Sequence, residues 1–522
     1  MTDLLLVKWL LAFSPIAVVL ILMIGFHWGG GRAGAAGWFT ALIVAVLFFG
    51  ADARLLAFAQ MKGVLLSLYV LYIIWMALVL YNVVDETGAI EVIGSGIKQL
   101  TADKPFQLLI LGWVFASFLQ GVAGFGVPIA VVGPLLLGMG FPPLVAVAVP
   151  AIGHSWSVTY GDMASSFQAM IAVTGLSGEY LAHWASVFLG VTVFMCGLAV
   201  VHVYGGFKAI RRSLVAIVII GSVMAATQYA LATNGLWTLA GFVAGMVGIV
   251  ASILVSRLPM YRNVEGEGAA EQPSEGPKMS LTFALSAYII LIAIVAPAEI
   301  IGPLHKFLGS VKLSLMFPEI STSQGWVNAA GLGKKISVFG HAGALLLYTS
   351  VLSYFVYASR GYYKSGALGR IWAKTVKSGV STSIGIVSMV CFALMMSQSG
   401  MTNLLAEGIS TVFGEAYPLV AGAIGTLGAF MTGSNTNSNV VFAQLQMSTA
   451  EIAALSVPVI LAAQTTGGSI GSMLAPAKIL VGCSTVGLSG KEGPVLARTL
   501  SYGLIMTAII GVLAFIYGTG AG

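Results

Sequence analysis

Residues 119–166 read LQGVAGFGVPIAVVGPLLLGMGFPPLVAVAVPAIGHSWSVTYGDMASS, apolar enough for bilayer depth yet unable to form an ordinary membrane helix. Gly121, Gly124, Gly126, Pro128, Gly133, Pro134, Pro142, Pro143 and Pro150 interrupt it, because proline lacks an N–H and glycine is a poor helix former. Backbone broken inside lipid must be buried in protein or line a wet cavity. Directly after the breaks come His154, Ser155, Ser157, Thr159, Tyr160 and Asp162. Breaks followed by polar groups in a greasy segment mark a solute site.

A second copy lies downstream. Sliding the chain against itself by 312 positions pairs Thr87 and Gly88 with Ser399 and Gly400, Gly96 and Ile97 with Gly408 and Ile409, Phe118 with Phe430, and Gly121 with Gly433. After a slip of four residues, Val149 and Pro150 meet Val457 and Pro458. Residues 428–446, GAFMTGSNTNSNVVFAQLQ, and 455–476, LSVPVILAAQTTGGSIGSMLAP, are again short apolar pieces broken by Gly, Ser, Thr and Asn. Interrupted segments in corresponding halves point to the binding site of a secondary transporter. The expected fold class is an all-α polytopic membrane protein with two structural repeats, each holding a re-entrant hairpin and a broken helix.

Composition sets the same bounds. Of 522 residues, 58% are hydrophobic and 8% charged, which excludes a soluble globule. The net charge of +6 would suit nucleic acid, but the basic residues are confined to short loops and report orientation instead. Cys196, Cys391 and Cys483 stand far apart in apolar runs, so neither a disulfide framework nor a metal-ligand spacing is visible, and no cofactor is implied. The run from Trp9 to Phe26 lacks a small-residue cleavage cue and reads as the first span.

Apolar windows and the two interrupted segments together give about 14 crossings. Residues 1–63 hold N-terminal spans; 64–204 are the first repeat, with a hairpin near 119–140 and a broken helix near 144–170; 205–359 are connecting spans; 360–522 are the second repeat, with a hairpin near 431–447 and a broken helix near 451–478. Residues 264–278, VEGEGAAEQPSEGPK, have the composition of a disordered linker. The stretches 86–104 and 399–416 suit short helices lying along the interface. Basic loops at Lys208, Arg211 and Arg212, at Arg257 and Arg262, and at Arg360, Lys364, Arg370, Lys374 and Lys377 place those loops, and with them the N-terminus, in the cytoplasm. One conflict arises. The count puts about eight crossings between equivalent spans, an even number that makes the repeats parallel, whereas paired hairpins call for inverted repeats and an odd number.

Asp162 lies between apolar neighbours, where an ionised carboxylate costs about 2.5–3.5 kcal/mol at the bilayer centre on translocon-type scales. It is the candidate proton-coupling residue; a carboxylate at the membrane edge, capping a half-helix, is the plainer alternative. His154 is a candidate substrate contact or a hydrogen-bonded structural histidine. Ser434, Asn435, Thr436, Asn437, Ser438 and Asn439 set six neutral hydrogen-bonding side chains in a row at a hairpin tip. A carboxylate losing its water needs donors, and helix N-termini add N–H groups and a favourable dipole. Thr465, Thr466 and Gly467 offer the same in the second broken helix, as do Ser155 and Tyr160 in the first. Lys478 is placed to pair with the substrate or with Asp162, or else to snorkel at a span end. Gly124 and Gly126 flank Phe125, which would wall the site against small apolar groups or simply pack.

These motifs have a familiar pattern. GVAGFGVPIAVVGPLLLGMGFPPL at 121–144 resembles the first hairpin of the lactate permease family, which carries a GAAGFG, P, LL, GF run; MTGSNTNSNVVFAQLQ at 431–446 resembles its second hairpin; and AQTTGGSIGSMLAPAKILVGCSTVGLSGKEG at 463–493 resembles its following helix. TGAIEVI at 87–93 and SGM at 399–401 extend the likeness to nearly the full length. The resemblance implies uptake of L-lactate, D-lactate or glycolate with a proton, on an ion-transporter type of fold with an elevator motion. The chain departs from the family at two points. The family commonly has Asp where Asn435 stands and Lys where Ser472 stands, while this chain has Asp162 and Lys478, as though acid and base had moved together.

The expected protein is a proton symporter for a small 2-hydroxymonocarboxylate in the cell (inner or plasma) membrane. Its partners are the bilayer, the carboxylate and protons, with no nucleic acid and with a homodimer left open. Ser434, Asn435 and Thr436 also resemble the SNT signature of sodium-coupled dicarboxylate carriers, which keeps sodium as a rival. From another class, Tyr160, Gly161 and Asp162 resemble part of an intramembrane aspartyl protease, whose chemistry needs two carboxylates sharing a proton.

Overall fold

The computed structural model describes residues 3–26, 28–98, 100–122, 124, 126–262, 279–489 and 491–519; Phe125 and the segment 264–278 lie outside them. Helices dominate because backbone in lipid must satisfy its own N–H and C=O groups. Helices α1 (Asp3–Ile24) and α2 (Gly30–Phe48) lead to α3 (Ala53–Asp85), a 33-residue helix opened by Asp52, whose carboxylate accepts from Leu55 N at 2.8 Å. Since α3 is continuous from Ala53, the boundary expected at 63–64 falls inside one helix. The short amphipathic α4 (Ala89–Lys98) follows, then α5 (Lys104–Val122). Asp103 caps α5 by accepting from Phe106 N at 2.9 Å and pairs with Arg212 at 2.5 Å.

The first hairpin forms where the glycines fall. Chain direction reverses after α5, with Gly126 at φ +88°, and α6 (Val127–Gly138) runs back before α7 (Pro143–Gly153) re-enters. A stretch of turns with one 3-10 turn (Ser155–Ser157) then leads to α8 (Gly161–Thr174), in which Asp162, Met163 and Ala164 take left-handed φ values of 49°, 54° and 60°. Helix α9 (Gly178–Thr233) breaks at Gly205 and Gly206, giving two legs of about 40 Å each, and α10 (Trp237–Ser256) follows.

Helices α11 (Ser286–Ile300) and α12 (Gly302–Leu308) meet at 95°. Six two-residue strands follow, β1 (Lys312–Leu313), β2 (Met316–Phe317), β3 (Ile320–Ser321), β4 (Val327–Asn328), β5 (Gly331–Leu332) and β6 (Ile336–Ser337). They pair antiparallel as β1–β6, β2–β5 and β3–β4, one long hairpin. This hairpin departs from the all-α expectation. Its sequence has no helical period, and Pro318 denies it a continuous helix.

The remaining helices are α13 (Ala342–Ser359), α14 (Ala367–Gln398), α15 (Met401–Phe413), α16 (Pro418–Thr432), α17 (Asn435–Ile452), α18 (Val457–Leu474), α19 (Pro476–Thr485) and α20 (Glu492–Gly518). Helices α16 and α17 form the second hairpin around Gly433, at φ +72°, and α18 and α19 form a helix broken at Ala475. Among the described residues nine helices are long and apolar enough to cross a bilayer, ten when α11 and α12 count as one span. The count of about 14 also took in hairpin arms and half-helices too short to pass alone.

The two faces of the molecule carry different chemistry. On one, Arg370 pairs with Glu86 at 2.7 Å, Lys374 with Asp85 at 3.1 Å, and Arg212 reaches both Asp103 and the Met260 carbonyl. On the other, Ser323 N donates to Gly50 O at 2.9 Å, Asn328 to Gln398 O at 2.8 Å, and Lys8 to Gln324 at 3.1 Å. Helix α3 runs from the second face to the first and α14 from the first to the second, so the two are antiparallel. The basic loops gather on the first face while α1 begins on the second. The expectation that the N-terminus shares the face of the basic loops is therefore corrected: Asp3 and Lys8 cancel, leaving α1 no charge signal of its own.

Two large apolar clusters fill the interior, one built mainly on α1, α2, α3, α14 and α15, the other on α5 to α10, α18 and α20, while a small third cluster joins Leu65 of α3 to Phe317 and Ile336 of the β-hairpin. Helices α8 and α17 stand at the seam. Helix α8 gives Ala169 to the first and Phe167 to the second, and α17 gives them Val440 and Ala443.

Candidate functional site

Asp162 is held by the first hairpin. Gly124 N donates to its Oδ1 at 2.5 Å, and a Cβ added at Gly124 would stand 2.6 Å from its Oδ2, so only glycine lets the tip approach this closely. The left-handed run at 162–164 aims the carboxylate toward that tip. Non-glycine residues there cost about 1–3 kcal/mol each, a kind of strain that clusters at functional sites.

The second hairpin supplies an amide and hydroxyl network. Ser434 caps α17, its Oγ accepting from Asn437 N at 3.3 Å. Asn435 Nδ2 donates to Thr159 Oγ1 at 3.0 Å and to the Thr465 carbonyl at 3.2 Å, while Thr159 Oγ1 lies 2.7 Å from Ser469 Oγ. Thr436 Oγ1 meets Ser166 Oγ at 3.0 Å, and Asn439 Nδ2 donates to Ser166 O at 3.0 Å and Thr465 Oγ1 at 2.9 Å. These bonds tie Thr159 and helix α8 to the second hairpin. The carbonyl oxygens of Asn435, Asn437 and Asn439 and the Thr466 hydroxyl are buried with no partner among the described residues.

A cavity of about 850 Å³ reaches this point, within the range of small-molecule sites. Its wall includes Asp162, Ser166, Ser434, Asn435, Thr436, Asn437 and Lys478, with Gly29 and the first residues of α2, Gly30 to Arg32, and Ser381, Thr382 and Ile384 of α14. Lys478 donates back to Ser472 Oγ, reaching the position where the resemblance expects a lysine. No direct ion pair joins Lys478 to Asp162. Asp162 is the one carboxylate among the described lining residues, so the shared-proton pair of an aspartyl protease has no second member here.

Several expected residues serve the frame instead. Ser155 Oγ donates to Ile152 O at 2.8 Å, and Tyr160 O–H lies 2.9 Å from Ser186 Oγ on α9; neither lines the cavity. His154 Nδ1 donates to Pro150 O at 2.6 Å and is wholly buried. Ser438 Oγ donates to Gly425 O at 2.9 Å, fastening α17 to α16. Gly467 packs against α16, where a Cβ would fall 2.0 Å from Gly422 O. Gly126 lies over the Lys478 stem, a Cβ there standing 3.7 Å from its Cγ. Ser166, Arg32, Ser381 and Thr382 were not singled out from sequence. The GGGR run at 29–32 and the STS run at 381–383 were the legible signals.

A profile described as L-lactate permease matches residues 8–519. The chain belongs to the L-lactate permease family. Among its relatives is the L-lactate permease of Bacillus subtilis (strain 168), 28% identical, covering 98% of this chain and 98% of that protein. The glycolate permease GlcA of Escherichia coli (strain K12) is 25% identical over 97% of this chain and 95% of its own. The crystal structure of the YdaH transporter of Alcanivorax borkumensis aligns over 85% of this chain and 84% of that one, with 13% identity and a TM-score of 0.44. Family membership and the apolar helices make this permease an integral multi-pass membrane protein and a transporter. Asp162 and Lys478 line the same cavity as Asn435.

Proposed function

We propose that the protein carries a small 2-hydroxymonocarboxylate, L-lactate, D-lactate or glycolate, in symport with protons. The observation that carries this reading is Asp162, held by the Gly124 N–H in the wall of a cavity that also holds Lys478 and the capped N-terminus of α17. Lys478, the backbone N–H groups of α17 and the nearby hydroxyls supply donors for a carboxylate, and Asp162 takes the coupled proton. A loaded site with its charges matched crosses lipid at lower cost than one with a net charge. The names of the lactate and glycolate permeases related to this chain support the substrate class.

Two inverted repeats suit the same reading. Helices α2, α3 and α4 have counterparts 312 positions on in α13, α14 and α15, and α3 and α14 are antiparallel. A Cβ on Gly31 would lie 3.0 Å from Ile384, and its counterpart on Gly343 would lie 2.7 Å from Tyr72, itself 312 positions from Ile384. With the basic face cytoplasmic, the N-terminus is outside and the cavity opens inward.

Sodium coupling is favoured by one observation, the donor-free buried oxygens of Asn435, Asn437 and Asn439. Labelled lactate uptake into vesicles, with proton and sodium gradients set independently, decides between them. Proton symport requires lactate-driven alkalinisation outside, abolished in Asp162→Asn. Sodium-dependent uptake at constant pH would establish the rival instead.

A further inference from the structure

The open cavity has a closed counterpart. Its wall residues Gly29, Ser381 and Ile384 match, 312 positions away, His341, Tyr69 and Tyr72, which lie on the face that carries the β-hairpin. There the His341 ring packs 4.6 Å from the Tyr69 ring and 5.0 Å from the Tyr72 ring, and Lys334 Nζ stands 4.5 Å over Tyr69. His341 is 5% exposed. Its Nδ1 accepts from Gly343 N at 3.2 Å, which leaves the ring proton on Nε2, and Nε2 has no partner among the described residues. A buried donor without an acceptor is costly and calls for an account.

Tyr69 O–H is presently used, donating to Gln168 Oε1 at 2.7 Å. Gln168 belongs to α8, the helix that carries Asp162. The element that holds the coupling carboxylate therefore also holds this cluster shut. The carboxylate whose charge reaches Tyr69 is Glu299, and His305 engages it at 3.4 Å.

We propose that Lys334, His341 and Tyr69 form an outer capture site for a monocarboxylate, the counterpart on the hairpin face of the cavity now open on the basic face. The assignment rests on the carboxylate-carrier reading above. When α8 shifts toward the hairpin face, Gln168 leaves Tyr69, whose hydroxyl joins the Lys334 ammonium and the His341 N–H. Three donors, one of them charged, then meet the two carboxylate oxygens, and the Tyr72 ring offers an apolar face to the rest of the substrate. The ammonium comes from the β-hairpin, which gives that extramembrane arm a task beyond covering α3.

The test compares initial rates of labelled L-lactate entry from the two sides, using right-side-out and inside-out vesicles. Lys334→Gln raises KM for entry from the hairpin face about tenfold, the loss expected for one charged hydrogen bond. KM from the basic face and kcat change far less. Lys334→Arg recovers most of the loss, and Lys312→Gln, exposed on the same hairpin, has no effect. An unchanged KM from the hairpin face, or equal loss from both faces, overturns the assignment. A Tyr72→Cys variant keeps the test separate from the substrate reading. An impermeant thiol reagent bearing a sulfonate labels it from the hairpin face faster with Lys334 than with Gln at that position, whether or not lactate is carried; equal labelling rates overturn the proposal.

Discussion

At the scale of single residues, the unusual feature is the left-handed turn at Asp162, Met163 and Ala164. For alanine this conformation costs about 1–2 kcal/mol, which glycine avoids, whereas the buried methyl lost in the exchange is worth about 0.8 kcal/mol. Ala164→Gly is therefore expected to melt no lower than the parent protein. Ala169→Gly, in the right-handed part of the same helix, is expected to lose about 1 kcal/mol of propensity in addition to its methyl. Thermal unfolding of the two variants in one detergent checks the contrast, and equal destabilisation would remove the strain. Asp162 was legible as a candidate because an acid among apolar residues is conspicuous. That its partner is the backbone of Gly124 was not, since hydrogen bonds across 38 positions leave no local signature.

At the scale of elements, the glycines of α16 and α18 explain how the two helices come so close. A Cβ on Gly425 would fall 2.0 Å from Gln464 O, and one on Gly467 would fall 2.0 Å from Gly422 O. Each methyl would collide with backbone, which cannot rotate away. Gly467→Ala is expected to separate the pair at a cost of about 1–3 kcal/mol or more, lowering the melting temperature and broadening the size-exclusion peak. A variant as stable as the parent would show that the helices are not locked together. From sequence, Gly467 reads as a binding residue because it adjoins Thr465 and Thr466. Composition cannot tell a glycine that admits a ligand from one that admits a helix. The capping residues were easier to anticipate in kind than in role, for Ser434 both starts α17 and lines the cavity.

At the scale of the whole molecule, two expected outcomes follow from the difference between the faces. A cysteine placed beside Lys364 should react with impermeant reagent only from the cytoplasmic side, and a tag on the N-terminus should be reached only from outside. The opposite pattern would reverse the orientation. The second concerns pH. Burial pushes the Lys334 ammonium down to about 8, so its charge is present below that value and lost as pH rises through it. Counterflow with equal pH on both sides should show KM from the hairpin face rising more steeply in the wild type than in Lys334→Gln between about pH 7 and about pH 9, so that the two converge once the ammonium has lost its charge. A wild-type profile parallel to that of the variant would exclude Lys334 as the titrating group.

Composition and periodicity were enough to determine a helical membrane protein with two interrupted segments, because lipid forbids unsatisfied backbone and so makes each glycine and proline break visible. The 312-residue offset was likewise written in the chain. Tertiary structure alone decided the rest. It turned α3 and α14 antiparallel, put the start of α1 opposite the basic loops, and sent Ser155, Tyr160 and Gly467 into packing while bringing Ser166 and Arg32 to the cavity. The physical reason is that a break only frees polar groups; which of them meet depends on helices that pack from hundreds of residues away.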